Sequence, residues 1–354
     1  MTRWLAVLAA AFLAASTAHA EPIDFSPTRQ GDPLRELPEG TRLLSGFGER
    51  PVFSPDGTRI AFIGKSYGDA FEYDIASGKV RNLTGHTAHS GFLRVHYLPD
   101  GSFLLLGPRR IEADRQAMRI SRIEIWWMDK HAQGAVLPLN QHVSEGIAVS
   151  RTGSRVAWAI LHPESSKPED VVDEYTAIMT GDIEMENGIP VLANVRELMR
   201  RPGSECILEA QDFRDGDREV TANCYDLGGI RLSLGKFGHI RHSAILGARD
   251  DGRVISYHDV RDGTFNEIEG IAPSGDWSLV DCGPAYGKGL ELCRLELTPG
   301  GALTRVTRFM DYGNHRISNG VVSPDGKWIA FQFGRGGDEA GVGAGILLMP
   351  MPTS

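Results

Sequence analysis

The chain has 354 residues, 41% hydrophobic and 23% charged, with a formal net charge of -9. That composition is ordinary for a globular protein with a sizeable core, in one or two domains by length. The acidic balance argues against a nucleic-acid surface, which needs clustered Lys and Arg, but a few local arginines could still hold an anionic ligand.

In chain order, residues 1–20, MTRWLAVLAAAFLAASTAHA, combine one early cation, Arg3, an apolar run and the small-residue site Ala18-His19-Ala20. This reads as a cleavable secretory signal, with no twin arginine and no cysteine for a lipid anchor. No later segment approaches the roughly 18 apolar residues of a spanning helix. The expectation is a mature chain from Glu21 without a membrane span, exported to the periplasm or, alternatively, secreted. Residues 21–40 form an N-terminal extension.

TRLLSGF (41–47) has the pattern of an outer strand. It is followed by VFSPDGTRIAFIG (52–64), a strand, a tight turn and a second strand that is too apolar to have a wet face. In the turn, Pro55 pre-sets φ, Asp56 accepts backbone hydrogen bonds and Gly57 supplies φ > 0. The unit recurs as VVSPDGKWIAFQF (321–333), and in weaker form with turns at Gly101, Gly153, Asp215–Asp217 and Gly275. Further strands lie between these hairpins: VRNLTGH (80–86), AVLPLNQH (135–142), VLANVREL (191–198) and LTRVTRF (303–309).

Six such four-stranded units around an axis make an all-β six-bladed propeller over residues 41–354. The last unit ends after three strands, so the N-terminal strand 41–47 is expected to complete it and leave no open edge. The stretch 225–258 is harder to divide; were its HSAILGARDDGRVISYHDV a separate blade, the count would be seven.

FSPDGTRIAF and VSPDGKWIAF resemble the repeats of TolB-like six-bladed propellers, a likeness that covers most of the mature chain. TolB carries an additional α/β domain ahead of its propeller, for which residues 21–40 are too short. The prolyl-oligopeptidase family attaches its propeller to a hydrolase domain that has no counterpart here. The resemblance implies the architecture and leaves function to the site.

The four cysteines permit three connectivities. Cys206 and Cys224 lie symmetrically about the Asp215 turn, and Cys282 and Cys293 flank GPAYGKGLEL, so local pairs 206–224 and 282–293 are expected. Four buried thiols are the alternative, and a zinc site lacks any Cys-x-x-Cys spacing.

Ahead of each innermost strand stands one polar residue: Arg50, Arg94, Glu145, Gln211, Glu269 and Asn319, with Glu209 and Asp212 beside the fourth. A water-filled channel tolerates such side chains. They would also form a ligand-binding ring, Arg50 and Arg94 holding a carboxylate or phosphate with carboxylates opposite. His86, His89, His142 and His315 fall in the inter-blade connections, where they are either solvated loop residues or ligands of a divalent metal, Mn, Zn or Fe. Oligogalacturonate lyases resemble TolB-like propellers and hold a metal by histidines at the channel mouth, a likeness of architecture only. His239, His242 and His258 have no clear place. GKSYG (64–68) fits Gly-x-Ser-x-Gly but falls in a hairpin loop, the wrong context for a nucleophile.

Two functions compete. One is a non-catalytic module binding a protein, peptide or glycan at the channel face. The other is a metal-dependent lyase or hydrolase acting on an anionic sugar. No catalytic motif is present, and the binding module is the preferred expectation.

Overall fold

The computed structural model describes residues 22–162, 174–228, 240–338 and 342–352. Strand β1 (Arg42–Ser45) stands before the first hairpin. Blade 1 follows as β2 (Glu49–Phe53), β3 (Arg59–Ile63), β4 (Ala70–Asp74) and β5 (Val80–Asn82). Blade 2 has β6 (Arg94–Tyr97), β7 (Phe103–Pro108), helix α1 (Arg115–Ser121), β8 (Ile123–Met128) and β9 (Leu137–Val143). Blade 3 has β10 (Ile147–Val149), β11 (Arg155–His162), β12 (Tyr175–Glu186) and β13 (Ile189–Pro202). Blade 4 has β14 (Ile207–Arg214), β15 (Glu219–Asp226), β16 (His242–Arg249) and β17 (Val254–His258). Blade 5 has β18 (Phe265–Ile271), β19 (Trp277–Gly283), β20 (Glu291–Glu296) and β21 (Leu303–Arg305). Blade 6 has β22 (His315–Val322), β23 (Trp328–Arg335) and β24 (Gly345–Pro350).

There are six four-stranded antiparallel sheets, so HSAILGARDDGRVISYHDV supplies the third and fourth strands of blade 4 and not a seventh blade. First strands of neighbouring blades touch one another, which puts them around the central channel. Second strands are buried along their length, as in β7, because a blade is packed on both faces.

The two best copies of the hairpin are built alike. Ser54 Oγ bonds Asp56 and accepts from Arg59 N at 2.9 Å; Ser323 Oγ bonds Asp325 and accepts from Trp328 N at 3.0 Å. Gly57 and Gly326 sit at φ 70° and 73°, the left-handed region the turn requires. The blades differ in closure. Blade 1 has its own outer strand, whereas β24 of blade 6 takes β1, pairing Arg42 with Leu348 and Leu43 with Leu347. The ring is thus closed without a covalent link, as its pattern implied.

The segment before β1 is fastened to the same side. Ile23 and Phe25 pack on the blade 5 core, Leu34 and Leu37 on that of blade 6. Thr28 N and Arg29 N both donate to Asp311 O, at 2.9 and 2.8 Å. Cys206–Cys224 and Cys282–Cys293 are both disulfides, each spanning neighbouring strands of one blade. Among the described residues no helix is long and apolar enough to cross a membrane. The expected signal sequence, residues 163–173 and His239 lie outside the described residues.

Candidate functional site: a channel with two arcs of charge

The six ring positions were expected ahead of the inner strands, but four lie inside them. Pairing register breaks between Glu49 and Val52, Ala210 and Asp212, Ile268 and Ile271, and Ser318 and Val321. Arg50, Gln211, Glu269 and Asn319 each occupy such a β-bulge. A bulge re-aims a side chain and interrupts the alternation by which a strand is recognised, so the alternating pattern begins only after the bulge although the strand starts before it. Arg50 and Asn319 both adopt φ 52° there. Arg94 opens β6 without a bulge. Only Glu145 precedes its strand, followed by Gly146 at φ 97°. A Cβ on Gly146 would lie 2.3 Å from Glu209 Cγ, so glycine is what lets Glu209 pack there.

Arg50, Arg94 and Glu145 are brought together. Arg50 Nη2 donates to Glu145 Oε1 at 2.6 Å, and Arg50 Nη1 to Glu49 Oε1 at 2.9 Å. Arg94 Nη2 reaches Glu209 Oε1 at 2.8 Å and lies 3.8 Å from Glu145. A third guanidinium, unforeseen in the sequence, comes from α1 between β7 and β8: Arg119 grips both oxygens of Glu145. Burial pushes the Glu145 carboxyl up, but Arg119, Arg50 and Arg94 outweigh it and hold it well below the usual range. Glu209 goes the other way. Burial, then repulsion from Glu267 and Glu145, pushes it up to about 8 despite Arg94 and Arg119. Ser66 of the GKSYG loop donates to Glu49 Oε1 at 2.8 Å and joins this network.

The second arc is made of carboxylates. One oxygen each from Glu267, Glu269 and Asp281 lies within 4.8 Å of the others. Asn319 ties them down: its Nδ2 donates to Glu269 Oε1 and its backbone N to Asp281 Oδ2, both at 3.1 Å. Burial raises all three carboxyls, Glu269 and Asp281 steeply, with repulsion from Asp281 and Glu267 adding to Glu269 and repulsion from Glu267 adding to Asp281. The Tyr225 hydroxyl on Glu267 and the charges of Arg94 and Arg316 work against the rise without cancelling it. The side-chain NH₂ of Gln211 is buried without a partner.

The histidines named from sequence do not converge. His86 Nε2 meets Gly134 O at 3.0 Å. Both nitrogens of His89 are engaged, Nε2 by Asp69 at 3.0 Å and Nδ1 by Gly91 N at 2.8 Å. His142 Nε2 faces Glu124 at 3.2 Å, and His315 lies against the Phe333 ring with 5.5 Å between centroids. Among the described residues the one group of three such side chains with metal-compatible spacing is Glu267, Glu269 and Asp281. His242 pairs with Asp259 at 2.6 Å at the start of β16, and His258 ends β17.

Four members of the site, Glu49, Arg119, Glu267 and Asp281, are not singled out by the sequence, and two of them show why. Arg119 sits on a short helix in an insertion, where the strand pattern carries no information. Asp281 stood in plain view as a lone carboxylate in WSLVDCG, an otherwise apolar inner-sheet strand, which is a costly place for a charge.

No protein-family model matches the chain, and no curated protein matches it in sequence. Solved structures match in fold. TolB from Acinetobacter baumannii is 11% identical with a TM-score of 0.50, over 84% of this chain and 64% of that one. The chain therefore spans less than two thirds of that TolB. A gluconolactonase from Xanthomonas campestris is 12% identical with a TM-score of 0.53, over 94% of this chain and 97% of that one. An oligogalacturonate lyase in complex with manganese is 11% identical with a TM-score of 0.50, over 88% and 93%. At these identities the likeness is one of fold: a six-bladed propeller similar to TolB-like propellers.

Proposed function

We propose that this chain is an exported binding module that takes an acidic group of a protein, peptide or glycan ligand at the channel mouth. One observation carries the reading: three guanidinium groups, from Arg50, Arg94 and Arg119, converge on the single carboxylate of Glu145. Glu145 acts as an internal placeholder. The Nε–H groups of Arg50 and Arg94 are buried with no partner, which leaves donor capacity for an incoming carboxylate or phosphate. Export is supported by the N-terminal sequence and by two disulfides.

The test is calorimetric titration with paired probes: an oligogalacturonide against its neutral galactose counterpart, and an acidic against a basic peptide. Acidic probes should bind, lose affinity as salt rises, and bind at least tenfold more weakly to Arg94→Gln. Preference for the basic or neutral probes contradicts the reading.

A second reading, an enzyme on anionic sugars, is favoured by Glu209 standing near neutrality beside an ionised Glu145, as acid and base roles require. Gluconolactonase and oligogalacturonate lyase have the same architecture. Breakdown of the oligogalacturonide during the titration would select it.

A further inference from the structure

We propose that Glu267, Glu269 and Asp281 hold one hard divalent cation of the calcium class inside the channel. The first support is spacing. Two oxygens each about 2.4 Å from a shared calcium ion can be no more than about 4.8 Å apart. The three carboxylates meet that limit mutually, with one oxygen each.

The second support is independent of composition. Asp281 is 2% exposed and its Oδ2 accepts from Asn319 N, yet its Oδ1 meets no N–H donor, and the one other side chain in hydrogen-bond reach of its carboxyl group is that of Glu269, a second acid. A buried carboxylate oxygen left unsatisfied costs free energy, and a cation removes that cost. The neighbouring arginines are engaged elsewhere: Arg50 and Arg119 hold Glu145, Arg94 holds Glu209, and Arg316 donates to the carbonyls of Asp338 and Val342.

The donor set is oxygen alone. That suits calcium, magnesium or manganese and disfavours zinc, which prefers nitrogen and sulfur, so the site differs in kind from the histidine cluster expected from sequence. Calcium accepts irregular oxygen sets at about 2.3–2.6 Å, whereas magnesium demands near-ideal octahedral geometry at about 2.0–2.1 Å and keeps several waters, which makes calcium the ion for a site built from three protein carboxylates. Asn319, fixed on its bulge, would orient two of the ligands from behind.

The site stands apart from the arginine arc and does not rest on the ligand reading. The experiment is titration of metal-free protein with calcium chloride alone, followed by calorimetry and by thermal unfolding, with manganese added for its magnetic resonance spectrum. One ion per chain is expected, a melting temperature that rises with calcium, and an oxygen-only manganese signal. Asp281→Asn and Glu269→Gln, each checked for native circular dichroism, should weaken binding at least tenfold. Arg119→Gln should keep the ion while weakening acidic-ligand binding, so the two readings fail separately. Absence of binding at about 5 mM calcium, well above the range of weak extracellular sites, overturns the proposal. So does binding that both carboxylate variants leave intact, which would put the ion elsewhere.

Discussion

The two arcs of the channel are built from similar residues and solved differently. Around Glu145, the carboxyl groups of Glu49, Glu145 and Glu209 are each met by a guanidinium group, and Arg119, Arg50 and Arg94 hold Glu145 ionised while burial pushes Glu209 up to about 8. Around Asp281, three carboxyl groups face one another, Glu269 and Asp281 held by Asn319 and Glu267 by the Tyr225 hydroxyl. The first arc is held together by its charges and the second is strained by them. Burial alone therefore does not tell whether a carboxylate stabilises this fold; its partners do.

That contrast can be broken most forcefully at Glu145. Glu145→Ala leaves three guanidinium groups facing one another and should cost about 3 kcal/mol or more, read as a shift of the urea midpoint at unchanged slope. A loss below about 1 kcal/mol would mean that the arginines find other partners.

The next effect is in pH. Folding raises the Glu209 carboxyl to about 8, chiefly by burial and then by Glu267 and Glu145. Its protonated form is the one the fold favours, so its contribution is complete below the ordinary carboxylate range and is lost as pH rises through about 8. Stability should fall between about pH 5 and 8 and level off above that, and Glu209→Gln should flatten the fall. A wild-type profile that rises over this interval would show that Arg94 keeps Glu209 ionised.

Arg119→Gln should be milder, about 1 kcal/mol, because Glu145 retains Arg50 and Arg94 and the Arg119 side chain is 21% exposed. Its value is to separate the contribution of α1 from that of the ring. Full loss of folding in this variant would make the Arg119–Glu145 contact a requirement of the fold instead of one of three supports of Glu145.

Much of this was legible in the sequence. The repeated Ser-Pro-Asp-Gly turn fixes local hydrogen bonds wherever it occurs, so the hairpins at 52–64 and 321–333 could be read from four residues each. A missing fourth strand at one end and an unclaimed strand at the other announced the closure by Arg42–Ser45. Cysteines symmetric about a turn must face across it. What stayed hidden was long-range. Arg50, Arg94 and Glu145 could be named as ring members, but their mutual pairing depends on bulges that no alternation pattern reveals. The arginines were expected to await a ligand and instead hold Glu145 and Glu209. The histidines looked like a cluster because the sequence places them in equivalent connections, yet His142 lies in β9 and His315 opens β22, and His86, His89 and His142 are engaged by their own neighbours. Glu267 and Asp281 come together only through packing of adjacent strands.

The most direct measurement compares two charge-removing variants, Glu145→Gln and Asp281→Asn, by urea unfolding in the presence of a chelator at pH 7.5. The account predicts opposite signs. Glu145→Gln should lower the midpoint clearly, whereas Asp281→Asn should leave it unchanged or raise it slightly by relieving repulsion in the acid arc. Equal losses in both would contradict it, showing that the carboxylates of the second arc are as well compensated as those of the first.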